Sequence, residues 1–182
     1  MRFSSALWRG EHEWPDVLGA AVRFLPGEKD TGSEQDLLLA TIRFPWTMPF
    51  APFATNFRSF LWNHYHAVSP FLVAGLGPLK LRLRSPRLHN RSGSSRAEHL
   101  RRTAADGGAT FELQARLLND SALTRRWLDL VQIELGEPLR LDQAALRFSP
   151  FNSGRGIEPI GFVHALRAAA YAASQDARPA HT

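Results

Sequence analysis

The sequence predicts a mainly β chain of the α+β class, an antiparallel sheet or barrel with helices attached. Three observations point there. Apolar and polar residues alternate with period two in several short runs. Turn residues such as Gly, Pro, Asn and Asp separate those runs. The strand–helix–strand alternation that builds parallel sheets is absent.

In chain order, residues 19–26 (GAAVRFLP) alternate and run into Pro-Gly, which reads as a strand and turn. Residues 36–44 (DLLLATIRF) form a continuous apolar run of strand length, and GEKDTGSEQ between the two is a hairpin-type loop. The Phe- and Pro-rich stretch after it starts irregular. Residues 54–65 (ATNFRSFLWNHY) then read as a short helix capped by Thr55 or Asn56. Residues 67–75 and 79–86 (LKLRLRSP) flank Gly-Leu-Gly-Pro as a hairpin. Residues 94–108 predict a short helix ending at Gly107.

Residues 109–118 (ATFELQARLL) alternate cleanly, with Phe111, Leu113, Ala115 and Leu117 on one face. Residues 126–136 do likewise through Trp127, Leu130 or Val131, Ile133 and Leu135. Residues 147–161 read as a long loop, and 162–176 as an Ala-rich helix. The count comes to about six strands in one domain over residues 1–178, with a loose tail at 179–182.

A chain of 182 residues that is 44% hydrophobic has material for one real core. It has no cysteine, which removes disulfides and thiolate metal sites and fits a reducing compartment. The first residues lack a signal-peptide apolar run, and nothing approaches the about 20 apolar residues of a membrane span. The expectation is a soluble cytoplasmic protein without membrane contact. The net charge is +5, and since Lys29 and Lys80 are the only lysines, it is carried by arginine. That composition suits phosphate or carboxylate partners, and it also suits a genome rich in arginine codons.

Three stretches carry candidate chemistry. His64 and His66 stand at i and i+2, the spacing that presents two imidazoles on one strand face to a metal. The other reading is ordinary surface packing, since no third ligand is near. Residues 80–102 hold eight cations against Glu98 alone, which reads as a phosphate-contacting loop for nucleic acid or as a solvated edge. No aromatic residue interleaves them. Nucleophile elbows, P-loops and dinucleotide fingerprints are missing. Last, Arg167, Tyr171 and Arg178 share one helix face among alanines. A phenol of ordinary pKa near ~10 ligates as an anion only beside positive charge, which Arg167 provides. Ferric haem accepts such a tyrosinate. An amphipathic helix with a packed tyrosine is the alternative.

The residues before that helix resemble the haem catalases. FSPFNSGRGIEP, 148–159, is similar to the catalase pattern F-D-P-x-N-x-x-x-G-I-E-P, with Ser149 in place of the aspartate. Arg167-Ala-Ala-Ala-Tyr171 resembles the family's R-x-x-x-Y, and Arg178 stands at the family's further arginine. The spacing from Pro159 to Arg167 is one residue shorter than is typical. Arg2-Phe3-Ser4 falls on the family's V-R-F-S-T run, and Asp16, Val17 and Gly19 fall on its continuation. The segment at 36–45 sits where the family has its next strand, and 128–139 is similar to its later barrel strand.

The resemblance implies a barrel of catalase-core type. It implies haem b with Tyr171 as iron ligand, Arg167 lowering its pKa, and Arg2 and Arg178 on the propionates. Peroxide or a small organic donor would be the substrate, and a homo-oligomer is compatible. The sequence departs from the family on the distal side. The distal histidine of catalases precedes the segment matching Arg2-Phe3-Ser4. The distal Asn motif is replaced by SEQDLL, and the middle helical insertion is missing. His12, His64 and His66 are the available substitutes. A poor catalase with weak peroxidase activity is therefore expected, against the alternative of a haem-free scaffold or partner-binding module.

Overall fold

A computed structural model describes residues 1–8, 13–25, 27, 34–86, 94–118, 126–139, 148–150, 152–153 and 156–161. Its strands are β1 (Arg2–Ser5), β2 (Leu18–Phe24), β3 (Gln35–Ala40), β4 (Tyr65–His66), β5 (Phe71–Val73), β6 (Gly77–Arg84), β7 (Thr110–Leu117), β8 (Leu128–Glu134) and β9 (Ile157–Pro159). Two short helices are α1 (Ala51–Ala54) and α2 (Arg96–Ala105). All the strand pairs are antiparallel. The sheet runs β1-β2-β3-β4-β6, with β5 on the β4 side of β6 and β9 beyond β5; β7 and β8 extend the other side. It curls into a half-barrel rather than a closed barrel.

The period-two alternation sorts each strand between an inner and an outer face. Leu79, Leu81 and Leu83 of β6 and Phe111, Leu113 and Ala115 of β7 are buried inside. They join Leu18, Ala20, Val22, Leu37 and Leu39 in one core. Phe3 of β1 lies 5.4 Å from Phe111 of β7 and 5.7 Å from Tyr65, so aromatic rings tie the first strand to the far side of the curl. Lys80, Arg82 and Arg84 alternate with the leucines and therefore face outward.

Helix α2 forms where it is expected. Ser95 accepts a hydrogen bond from the Glu98 amide at 3.2 Å, and Gly107 ends the segment at a positive φ of 71° that favours glycine. Its Arg96 is buried and donates to the Phe57 carbonyl at 3.0 Å. His99, fully buried, meets Ser59 Oγ at 3.2 Å.

The helix expected over 54–65 does not form. α1 ends at Thr55, which is extended and donates its hydroxyl to Thr41 Oγ1 at 2.7 Å. Asn63 then bonds the Asn56 amide and carbonyl at 2.9 and 2.8 Å, closing a turn that competes with helix. Residues Phe60–Trp62 make one 3-10 turn before β4. The strand expected over 36–44 stops at Ala40, and the loop expected at 147–161 contains β9, paired with β5. β8 is a strand as expected, but both candidates for its apolar face, Leu130 and Val131, are exposed, and so is Leu128. The Ala-rich helix at 162–176 lies outside the described residues. Among the described residues, no helix is long and apolar enough to cross a membrane.

Candidate functional site

The segment that carries the catalase resemblance, 148–159, is fastened to the first strands through Asp36. Asp36 is buried and pairs with Arg23, at 2.8 and 2.9 Å to its two carboxylate oxygens. The same carboxylate accepts the Ser149 amide and the Asn152 side-chain amide, both at 2.9 Å and more than a hundred residues away in sequence. Gln35 Nε2 donates to the Asn152 carbonyl at 3.0 Å, and Arg23 lies 5.1 Å from the Phe148 ring centroid. Gly156 has a φ of 71°, and a Cβ there would meet the Ala74 methyl at 3.2 Å. Glycine meets both demands without strain.

Arg2 stands in register with Ala21, and Ala21 with Leu38, so the three share the outer face. Arg167, Tyr171 and Arg178 lie outside the described residues, as does His12. The second tyrosine is described. Tyr65 is fully buried and donates its hydroxyl to the Phe60 carbonyl at 2.7 Å. Burial raises its pKa, with the Arg96 charge opposing more weakly. It is a core phenol and unsuited to act as an anionic ligand.

The basic stretch 80–102 does not act as one surface. Arg96 is inside the fold, Arg102 is paired with Glu98, and Arg84 with Glu112 at 2.8 Å. Arg87 and Arg91 lie outside the described residues. What the sheet assembles instead is a cationic hollow on the outer face. Lys80 and Arg116 are cross-strand partners, and Arg43 reaches the same place from the turn after β3. Phe44, His66 and Trp127 complete the lining.

Aromatic rings hold the cations there. Arg116 lies 5.1 Å from the Trp127 centroid, and Arg82 only 4.1 Å from it. Lys80 and Arg43 lie 5.1 and 5.3 Å from the Phe44 centroid. Phe44 is itself stacked on Trp46 at 4.8 Å. These aromatic residues come from outside 80–102, so the interleaving missing from the linear sequence is supplied by the fold.

His66 sits in that field, in register with Arg82 and Ala40. Burial first, then the charges of His64, Arg82, Arg43 and Lys80, lower its pKa to about 4. His64 is lowered for the same reasons, burial ahead of Arg82 and Arg84. Both imidazoles are thus neutral at pH 7. Among the described residues, no group of three or more His, Cys, Asp or Glu could hold a metal ion.

Sequence reasoning singled out His66 and the 80–102 arginines but passed over Arg43, Phe44 and Arg116, and it put Trp127 on the apolar face of 126–136, whereas the ring lies against Arg82 and Arg116. A signal for Arg116 was present: in 109–118 it alternates with the apolar residues and must face outward, as Lys80 does. No family model, curated protein or solved structure matches the chain.

Proposed function

We propose that the chain is a haem-binding, catalase-like protein with weak peroxidase chemistry. The carrying observation is the docking of 148–159 onto β2 and β3 through Asp36. The two stretches resemble the catalase pattern separately, and their mutual contact supports reading them as one motif. The donor set is compatible with haem. Tyr65 is committed to the core, which leaves Tyr171 as the tyrosine for the iron. The outer face around Arg2 offers the small side chain of Ala21 and the apolar side chain of Leu38 beside a guanidinium, chemistry suited to a flat ring with carboxylate arms.

In this reading Tyr171 would ligate the iron and Arg167 would stabilise its phenolate. Arg2 and Arg178 bind the propionates. Bound haem would supply a ferric centre suited to peroxide chemistry. The chain's own weakness is proton transfer. A general base works best with a pKa near the working pH. His66, held at about 4, accepts a proton reluctantly. Loss of an effective acid/base is worth ~10²–10⁴-fold, so oxygen release from peroxide should be slow. Oxidation of a small organic donor is the better-suited reaction.

The test is a hemin titration of the wild type, Tyr171→Phe and Tyr65→Phe, read by the Soret band. The reading expects a shifted band in the wild type and Tyr65→Phe that is lost in Tyr171→Phe. A wild type without a Soret shift would favour the haem-free scaffold and end this proposal.

A further inference from the structure

We propose that the hollow bounded by Arg43, Lys80, Arg116, Phe44 and Trp127 is a binding site for the phosphate group of a small molecule. This does not depend on the haem reading.

Like charges placed directly opposite on neighbouring strands destabilise a sheet, and Lys80 and Arg116 are such a pair. Arg43 adds a third charge to the same hollow. Among the described residues, none of the three makes an ion pair or a side-chain hydrogen bond. The neighbouring rows of the same strands are compensated. Arg82 donates to Gln114 Oε1 at 2.6 Å, Gln114 donates to Asp129 at 2.5 Å, and Arg84 pairs with Glu112. The sheet thus pairs its cations elsewhere and leaves this row without an anion.

The row is also pre-positioned. Arg43 and Arg116 rest against Phe44 and Trp127 at 5.3 and 5.1 Å, which limits where the guanidinium groups can swing. Resting on a ring leaves the N–H edges of a guanidinium open. Two forks and one ammonium suit a tetrahedral dianion, whose oxygens take bidentate and point-charge contacts together. His66 adds a neutral imidazole to the lining, able to donate without increasing the repulsion.

The bounds of the patch argue for a small ligand over a nucleic-acid strand. Strand binding uses a basic groove that tracks the backbone over several nucleotides. Here Glu112 and Asp129 stand in the next rows of the same face and interrupt any such track. The rings have cations against them, so they hold charge instead of presenting free stacking platforms.

Titration calorimetry at two controlled ionic strengths would use three probes: pyrophosphate, glycerol 3-phosphate and a single-stranded 12-mer oligonucleotide. The two small probes are expected to bind in competition with each other. Lys80→Gln and Arg116→Gln should each weaken them about ten-fold or more, as expected for charge-assisted hydrogen bonds. Arg84→Gln, from the compensated row, should change their affinity less than about two-fold. Since Lys80→Gln and Arg116→Gln relieve repulsion, both variants should keep the wild-type melting temperature or raise it, which excludes unfolding as the cause. Absent binding of both small probes overturns the proposal, as does binding indifferent to Arg116→Gln. An oligonucleotide that binds far more tightly than pyrophosphate, with a steep salt dependence, overturns it in favour of nucleic acid.

Discussion

The two faces of this sheet are made from the same strands and do opposite things. On β6, leucine and cation alternate residue by residue; Leu79, Leu81 and Leu83 are almost completely buried, and Lys80, Arg82 and Arg84 face out. The inner face is closed by rings that touch across the curl, Phe3 against Phe60, Tyr65 and Phe111. The outer face also uses rings, but Phe44 and Trp127 hold cations there. An aromatic residue among leucines adds burial, and one among arginines fixes charge. The inner face should therefore answer to stability measurements, and the outer face to ligands and pH.

The largest expected effect is on the inner face. Phe111→Ala removes a fully buried ring that contacts Phe3 and should cost about 3–5 kcal/mol in urea denaturation. A cost under about 1 kcal/mol would mean that β1 does not close over β7.

The next test is where the two faces share a strand. Asp36 is buried on β3 and holds Arg23, Ser149 and Asn152. Asp36→Ala leaves Arg23 without its carboxylate and should cost about 3 kcal/mol. It should also release 148–159 to limited proteolysis before global unfolding. Equal protection of that segment in variant and wild type would show that β9 pairing alone secures it.

The inner face was largely legible in the sequence because alternation is a one-dimensional signal. LKLRLR and FELQARL announce which side chains turn inward, and they do. The segment 54–65 was misread because Asn56, Ser59 and Asn63 bond to nearby backbone and stop helix. The outer site was mostly illegible. Arg43, Lys80, Arg116 and Trp127 come from four separate segments, and their proximity depends on strand pairing and register. No local pattern encodes that. The anchoring of 148–159 was legible only as a motif. Its partner Asp36 lies 116 residues from Asn152, a pairing no spacing rule suggests.

A smaller effect, with a sign, belongs to the outer face. His66 titrates at about 4 in the folded protein against 6.5 ordinarily. Between those values the unfolded chain holds more protons, so acidification favours unfolding. The contribution is complete above about pH 6.5 and is lost as pH falls toward 4. Since part of the ring is exposed, screening reduces it to about 1 kcal/mol. The groups responsible are His64, Arg82, Arg43 and Lys80, with burial ahead of them all. The wild-type urea midpoint should therefore fall further than that of His66→Gln, which has no titrating group there, as pH goes from 7 to 4.5. Saturating pyrophosphate should reduce the loss in the wild type, because an anion in the hollow favours the imidazolium. A parallel pH dependence in both proteins would remove His66 from the account.

The smallest expected effect is the sharpest test of how the half-barrel ends. Leu128 is in register with Ala115, and Val131 with Leu113. Ala115 and Leu113 are 3% and 4% exposed, yet Leu128 and Val131 are 51% and 44% exposed on the adjoining strand. One register step thus crosses from core to open seam, aided by the bulge between Leu113 and Gln114. Substitutions at surface positions usually stay within about 0.5 kcal/mol. Leu128→Thr brings in a β-branched side chain that strands favour and should fall within that limit at low protein concentration. A loss above about 2 kcal/mol would show that Leu128 is covered in the native protein. If that loss grows with protein concentration, the cover is a second copy of the chain. If it does not, the cover is part of the same chain, and the inner face extends one strand further than the described residues define.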